Sequence, residues 1–151
     1  METRKIEYRT KSADETDILA HLRECAGNYV PRLDERVDLG EYSRKLFTKS
    51  MTFEAWEKHC LVGLIAAYFN NDSASLAYIT NVSVSTNYMG AGIASRLLCN
   101  CVEYARKEGF DAIQLEVGNE NSRAIALYKR FGFMTEGVED RFLKMRLPIL
   151  K

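Results

Sequence analysis

Apolar and polar residues alternate along "RKIEYRT", Arg4 to Thr10, and predict an opening strand. The spacing then turns helical through "SADETDILAHLRECAGN", where Ser12 and Glu15, three residues on, form a capping signal. A polar connection, "YVPRLDERVDLG", carries Pro31 and Gly40 and leads into a short helix, "EYSRKLFTKS". From Met51 the pattern is β: "MTFEAWEKHC", "LVGLIAAYFN" and "SLAYITNVSVS" are aromatic and β-branched runs, with a hairpin turn at "NNDS" between the last two. The next helix sets Ile93, Leu97, Leu98, Cys101, Tyr104 and Ala105 on one stripe and stops at Gly109, with Arg106 and Lys107 in its last turn. "DAIQLEV" reads as a strand, "NENSRAIALYKRF" as a helix closed by Gly132, and "GFMTEGV" with "DRFLKMRLPI" as a final strand pair. Four antiparallel strands thus precede one βαβ crossover, and the class is mixed α/β.

At 151 residues, 46% apolar and 28% charged, the chain is expected to be one domain over residues 1–151. The 21 basic and 21 acidic residues cancel, which gives no support to a broad nucleic-acid footprint. No run is apolar and long enough to cross a bilayer, and "METRKIEYRT" lacks the apolar centre of a leader, so neither a membrane nor export is expected. Cys99 and Cys101 lie two apart in a helical pattern and point away from each other. With Cys25, Cys60 and only two histidines besides, they suit no metal site, and reduced thiols in a cytoplasmic protein are the expectation.

Candidate chemistry begins at "NYMGAGIASRLL", where Gly90 and Gly92 sit at a strand-to-helix junction. Unpaired N–H groups and about half a positive charge make a helix N-terminus a phosphate site, and missing Cβ atoms would let a diphosphate approach. A glycine turn with close helix packing and no ligand is the alternative from this stretch alone. A P-loop is excluded, because Lys and Ser/Thr do not follow the second glycine. A dinucleotide site would want glycine where Ser95 stands and a second βαβ half, and the single crossover offers none.

"LEVGNENSRAIALYKRFGF" narrows the choice. Asn121 and Tyr128 are seven apart, nearly two helical turns, so they share a face with Ala124 between them. An amide and a phenol flanking a small residue make a groove for an extended, amide-bearing arm. Each alone has a plainer reading, Asn121 as an N-cap and Tyr128 as a core aromatic.

These stretches resemble the GNAT family of acetyl-CoA-dependent N-acetyltransferases. "NYMGAG" matches the family's Gln/Arg-x-x-Gly-x-Gly/Ala motif except that Asn87 replaces Gln or Arg. Asn121, Ala124, Leu127, Tyr128, Gly132 and Phe133 match its Asn-x-x-Ala-x-x-Leu-Tyr motif and Gly-Phe turn. The resemblance runs from Leu61 to about Phe142. It implies a mixed central sheet of about six to seven strands flanked by about four helices, and acetyl-CoA as co-substrate with no metal. It places the pyrophosphate on Met89, Gly90, Ala91, Gly92, Ile93 and Ala94. The pantetheine arm falls along Val82, Ser83 and Val84, with Asn121 bonding it and Tyr128 facing the sulfur. The acetyl group passes directly to an amine, with Tyr128 as acid and Glu116, twelve residues earlier, as base. Alternatives for Glu116 are a structural carboxylate, with Asn81 or a water held by Ser83 and Thr80 as substitute base.

The acceptor is expected between the first-helix connection and the final hairpin. Tyr29, Arg32, Arg36, Asp38 and Tyr42 come from the first, and Glu136, Glu139 and Asp140 from the second, with Asn81 on the strand between. Acids there suit a cationic amine, and arginines a carboxylate or phosphate on the same molecule. An amino sugar, a free amine metabolite and a peptide N-terminus all fit. A non-catalytic acyl-CoA-binding module is the alternative function, and a homodimer is left open.

Overall fold

The computed structural model describes residues 4–29, 31–70 and 75–150. Strands β1 (Glu7–Thr10), β2 (Met51–Glu57), β3 (Cys60–Phe69) and β4 (Leu76–Val84) pair antiparallel in chain order. Strand β5 (Ala112–Gly118) joins β4 in parallel, and β7 (Phe142–Pro148) lies between β5 and β6 (Met134–Glu139). The result is a seven-stranded mixed sheet in the order β1-β2-β3-β4-β5-β7-β6. Helices α1 (Glu15–Cys25), α2 (Leu33–Arg36) and α3 (Leu39–Lys49) precede β2, α4 (Ile93–Lys107) makes the crossover, and α5 (Ser122–Arg130) leads to β6. The turn expected at "NNDS" falls outside the described residues except for Asn70, as do both ends of the expected single domain.

Two apolar clusters cover the two faces of the sheet. Ile18, Leu22, Leu33 and Leu46 from α1 to α3 pack on Trp56, Leu61, Leu64 and Ala66. On the other face Ile93, Leu97, Leu98, Cys101 and Ala105 of α4, with Leu127 and Tyr128 of α5, pack on Phe53, Ile65, Ala67, Ile79, Leu115 and Val117. Gly63 sets how closely α4 approaches, since a Cβ there would stand 2.8 Å from Ile93 Cγ2 and 3.2 Å from Leu97 Cδ1.

A bulge in β4 decides what each face presents. Ala67 pairs with Ile79 but Ala66 pairs with Asn81, so Thr80 is an extra residue. Side chains alternate faces with period two, and the extra residue reverses the alternation. Ala77 and Ile79 therefore join the α4 face, whereas Asn81 and Ser83 turn to the α1 face opposite Ala66 and Leu64. Beyond Ile79 the pairing of β4 with β5 ends, and the two strands part.

Helix α1 starts differently from the capping signal expected. Asp14 is the N-cap and Asp17 its reciprocal partner, while Ser12 serves a carboxylate across the sheet. Glu54 is fully buried and accepts from the Ser12 N–H at 3.0 Å, the Ser12 hydroxyl at 2.7 Å and the Ala13 N–H at 3.1 Å. The Thr52 hydroxyl at 2.5 Å and Trp56 Nε1 at 2.9 Å complete its shell, so β2 fixes the entry to α1. The polar connection holds the one-turn helix α2, an element the hydrophobic pattern does not carry. Helix α3 begins at Leu39, two residues before the expected start, because Asp38 caps it by accepting from the Glu41 N–H at 2.9 Å.

Candidate active site

The parting of β4 and β5 opens a cavity of about 850 Å³ between the two faces. Helix α4 begins at its mouth. Gly92 is the N-cap at φ 80° and Gly90 lies at φ 81°, left-handed conformations that a side chain would strain. A Cβ on Gly92 would meet no atom within 4 Å, and one on Gly90 only the Arg123 guanidinium at 3.8 Å. The protein leaves this space open in front of N–H groups that have no intrahelical partner. A diphosphate fits such a cradle, with Arg123 as its cation.

Arg123 was not foreseen from sequence. Its Nη1 lies 3.9 Å from Met89 Sδ, on the same turn, and it lines the cavity. The signal that points to it is a cation in the first turn of α5, the wrong sign for the helix dipole unless an anion joins it. Asn87, where the family motif has Gln or Arg, gives its carbonyl to Arg4, whose guanidinium also sits 4.1 Å from the Tyr88 ring centre.

Further in, Val82, Val84, Ile93, Ala94, Ala124, Leu127 and Tyr128 line the cavity from the α4 face. Asn121 is the N-cap of α5, its Oδ1 accepting from the Ala124 N–H at 3.2 Å. The residue also lines the cavity. The Tyr29 hydroxyl donates to the Val82 carbonyl at 2.9 Å, which occupies one polar group of the β4 edge. Tyr128 is 5% exposed, packs against Phe133 at 5.7 Å between ring centres, and burial raises its phenol well above the usual range.

The α1 face supplies the opposite wall. Tyr29, Leu33, Arg36, Val37 and Tyr42 come from the helical connection, and Tyr78, Thr80, Asn81, Ser83 and Glu116 from the strands. Tyr42 donates to the Thr80 carbonyl at 2.7 Å and lies 2.8 Å from the Thr80 hydroxyl. Burial raises its phenol to about 12, with Thr80 and the neighbouring Asn81 carboxamide pulling the other way. Burial first, and then the Glu116 carboxylate, raise the Tyr78 phenol. Glu116 is exposed, beside Lys144 in the strand register, and also borders a recess of about 170 Å³ with Tyr78, Gln114 and Glu136.

Arg36 stacks 4.6 Å from the Phe142 ring centre and so ties α2 to the final hairpin. The other expected acceptor residues lie outside the cavity lining. Asp38 is occupied as a helix cap, and Arg32 pairs with Asp34 at 3.0 Å. Glu139 pairs with Lys144 at 3.6 Å, Glu136 with Arg146 at 3.5 Å, and Asp140 occupies the β6–β7 turn at φ 55°.

The acetyltransferase (GNAT) family model matches residues 16–133 of the chain. An uncharacterized N-acetyltransferase of Methanocaldococcus jannaschii is 37% identical over 76 residues, 50% of this chain and 34% of that protein. The uncharacterized N-acetyltransferase YvbK of Bacillus subtilis is 24% identical over 142 residues, 94% of this chain and 82% of that one. The chain spans about a third to a half of the length of several curated relatives that it matches. Among solved structures, the PaiA N-acetyltransferase of Thermoplasma acidophilum in complex with coenzyme A has the same fold. Its TM-score is 0.76 at 18% identity, over 95% of this chain and 99% of that one.

Proposed function

The chain belongs to the GNAT family of acetyltransferases, and from that premise we propose that it moves an acetyl group from acetyl-CoA directly to a primary amine. The support is one cavity that joins an open phosphate cradle, the Asn121–Tyr128 face and, across the gap, an exposed carboxylate. Acetyl-CoA enters along the α4 face, its diphosphate on the Gly90–Ala94 turn beside Arg123. The amine approaches from the α1 face. Three tyrosines with Leu33 and Val37 on that wall favour an amine on an aromatic or apolar body, either a small molecule or a peptide N-terminus.

Two proton transfers follow from the chemistry. The acceptor ammonium must lose a proton before it can attack, and Glu116, open to water, takes it. The thiolate that leaves must be stabilised, and the Tyr128 hydroxyl is held protonated by burial. Because Tyr128 is buried, a hydrogen bond from its hydroxyl to the developing sulfur charge counts for more than it would in solution. Free thiols at Cys25, Cys60, Cys99 and Cys101 suit a reducing, cytoplasmic setting.

Free-thiol release from acetyl-CoA, measured with 2-phenylethylamine, a methionyl tripeptide, spermidine and glucosamine, tests the reading. The first two should be the better substrates, and Tyr128→Phe should lower kcat by ~10²-fold with acetyl-CoA affinity kept. Binding of acetyl-CoA without turnover on any amine would instead make the protein a non-catalytic acyl-CoA-binding module.

A further inference from the structure

Two exposed side chains of opposite charge line the α1 side of the cavity: Arg36, the last residue of α2, and Glu116 of β5. Among the described residues neither makes an ion pair, with the other or with a third group. Their neighbours do. Arg32 pairs with Asp34 at 3.0 Å, and Lys144, opposite Glu116 on β7, reaches Glu139 at 3.6 Å.

The sheet register brings the two together. Glu116 pairs with Lys144 and Gly118 with Phe142, and no bulge interrupts this ladder. Residues two apart on a strand share a face, and directly paired residues point the same way. Glu116 and Phe142 are therefore diagonal neighbours on the face opposite Leu115 and Val117, with Cα atoms about 7–8 Å apart. The Arg36 guanidinium lies 4.6 Å from the Phe142 ring centre, which sets it beside Glu116 on that face. Tyr78 is within reach of both charges. Its phenol is raised first by burial and then by Glu116, and Arg36 pulls it back down. Stacking on a ring uses the flat face of a guanidinium and leaves its N–H edge, the part that takes a carboxylate in a two-bond fork.

A simple amine would bring a second cation up to Arg36, and a simple acid a second anion up to Glu116. A molecule with an ammonium and a carboxylate a few bonds apart suits both. Tyr29, Tyr42, Leu33 and Val37 complete the wall and offer an apolar surface for the rest of it. The cofactor has its own cation, Arg123, at the phosphate turn on the other side of the cavity. We propose that the acceptor is a free α-amino acid with an apolar or aromatic side chain, its ammonium at Glu116 and its carboxylate on the Arg36 guanidinium. The transfer itself rests on the acetyltransferase reading, and the choice of acceptor on the two unpaired charges. A charged carboxylate separates this acceptor from a peptide N-terminus, whose carbonyl is neutral, and from 2-phenylethylamine, which has none.

One arm of the experiment needs no turnover. L-Phenylalanine, L-methionine and L-leucine, each against its carboxamide, are titrated into the protein saturated with coenzyme A, and binding is followed by ligand NMR. The acids should bind tighter than their amides by ~10-fold or more, and Arg36→Met should abolish the difference. The second arm compares kcat/KM for acid and amide with acetyl-CoA. Their ratio should fall by ~10-fold or more in Arg36→Met, a change in which the differing basicity of the two amines cancels. Loss of packing on Phe142 alone would slow both substrates alike and leave the ratio intact, and that result overturns the proposal. Equal binding of acids and amides by the wild type overturns it too, as does failure of all three acids to bind. A binding preference that depends on Arg36, with no turnover on any acid, would keep the amino-acid site and fail the acetyltransferase reading.

Discussion

Protonating His21 would put a charge where α1 packs on the sheet, and the folded chain resists it. The unfolded chain takes up that proton near pH 6.5, the folded chain only near pH 4. Between those values the unfolded state holds more protons, so folding stability rises with pH across the window. The contribution is complete above about 6.5 and lost progressively as pH falls to about 4. Urea denaturation at pH 7.5 and pH 4.5 should show wild type losing about 2–3 kcal/mol more than His21→Gln, which has no such group to titrate. Equal losses would mean that His21 takes up its proton at the same pH in the folded and unfolded chains. His21 also marks a limit of sequence reading at this scale. Its partners are 40 and 62 residues away, Leu61 and Ser83, and no local pattern joins them. Tyr128 is readable because the residues that define its groove lie within two turns of one helix.

Elements show the same division. All seven strands and the helices α1, α3, α4 and α5 are legible, the helices as a one-sided apolar stripe and the strands as aromatic and β-branched runs, although β2 and β3 are buried on both faces. The bulge at Thr80 leaves only a faint mark, since "AYITNVSVS" shifts phase once, from apolar Ala77 and Ile79 to apolar Val82 and Val84 across Thr80 and Asn81, and the extra residue is assigned only against Ala66 and Ala67 across the ladder. Helix α2, a single turn held by Leu33, leaves none. The glycines of the α4 region separate two effects that look alike in sequence. Gly92→Val meets no protein atom, so its costs are backbone strain of about 1–2 kcal/mol and lost space for the ligand. Calorimetry should give acetyl-CoA affinity lower by ~10-fold or more, about 1.4 kcal/mol or above, with a modest fall in Tm. Gly63→Val instead drives a side chain into Ile93 and Leu97, and overpacking of this kind costs about 1–3 kcal/mol. Its Tm should fall further than that of Gly92→Val, and its affinity should fall with it, because Ile93 is the first residue of α4. Normal binding by a folded Gly92→Val would remove the phosphate cradle from the site.

Across the molecule, the sheet separates the sites proposed for the two substrates. Val82, Val84 and Tyr128 lie toward α4, whereas Asn81, Ser83 and Glu116 lie toward α1, and the gap between β4 and β5 connects them. Among the described residues, no exposed thiol lines either wall to hold the acetyl group on its way across. Cys25 lines the cavity, but burial pushes its thiol up to about 11, and Cys101 is buried under α4 with its thiol raised to about 12. The bulge in β4 thereby acquires a meaning in steady-state kinetics. With the substrates placed as proposed, one strand that shows different faces on either side of a single extra residue lets both be bound at once, and a ternary complex is expected. Initial rates measured over a grid of acetyl-CoA and 2-phenylethylamine concentrations should give intersecting double-reciprocal lines, and thiol should not appear in a burst before the amine is added. Parallel lines would mean that the acetyl group rests on the protein between two half-reactions, and that the two sides of β4 are visited in turn.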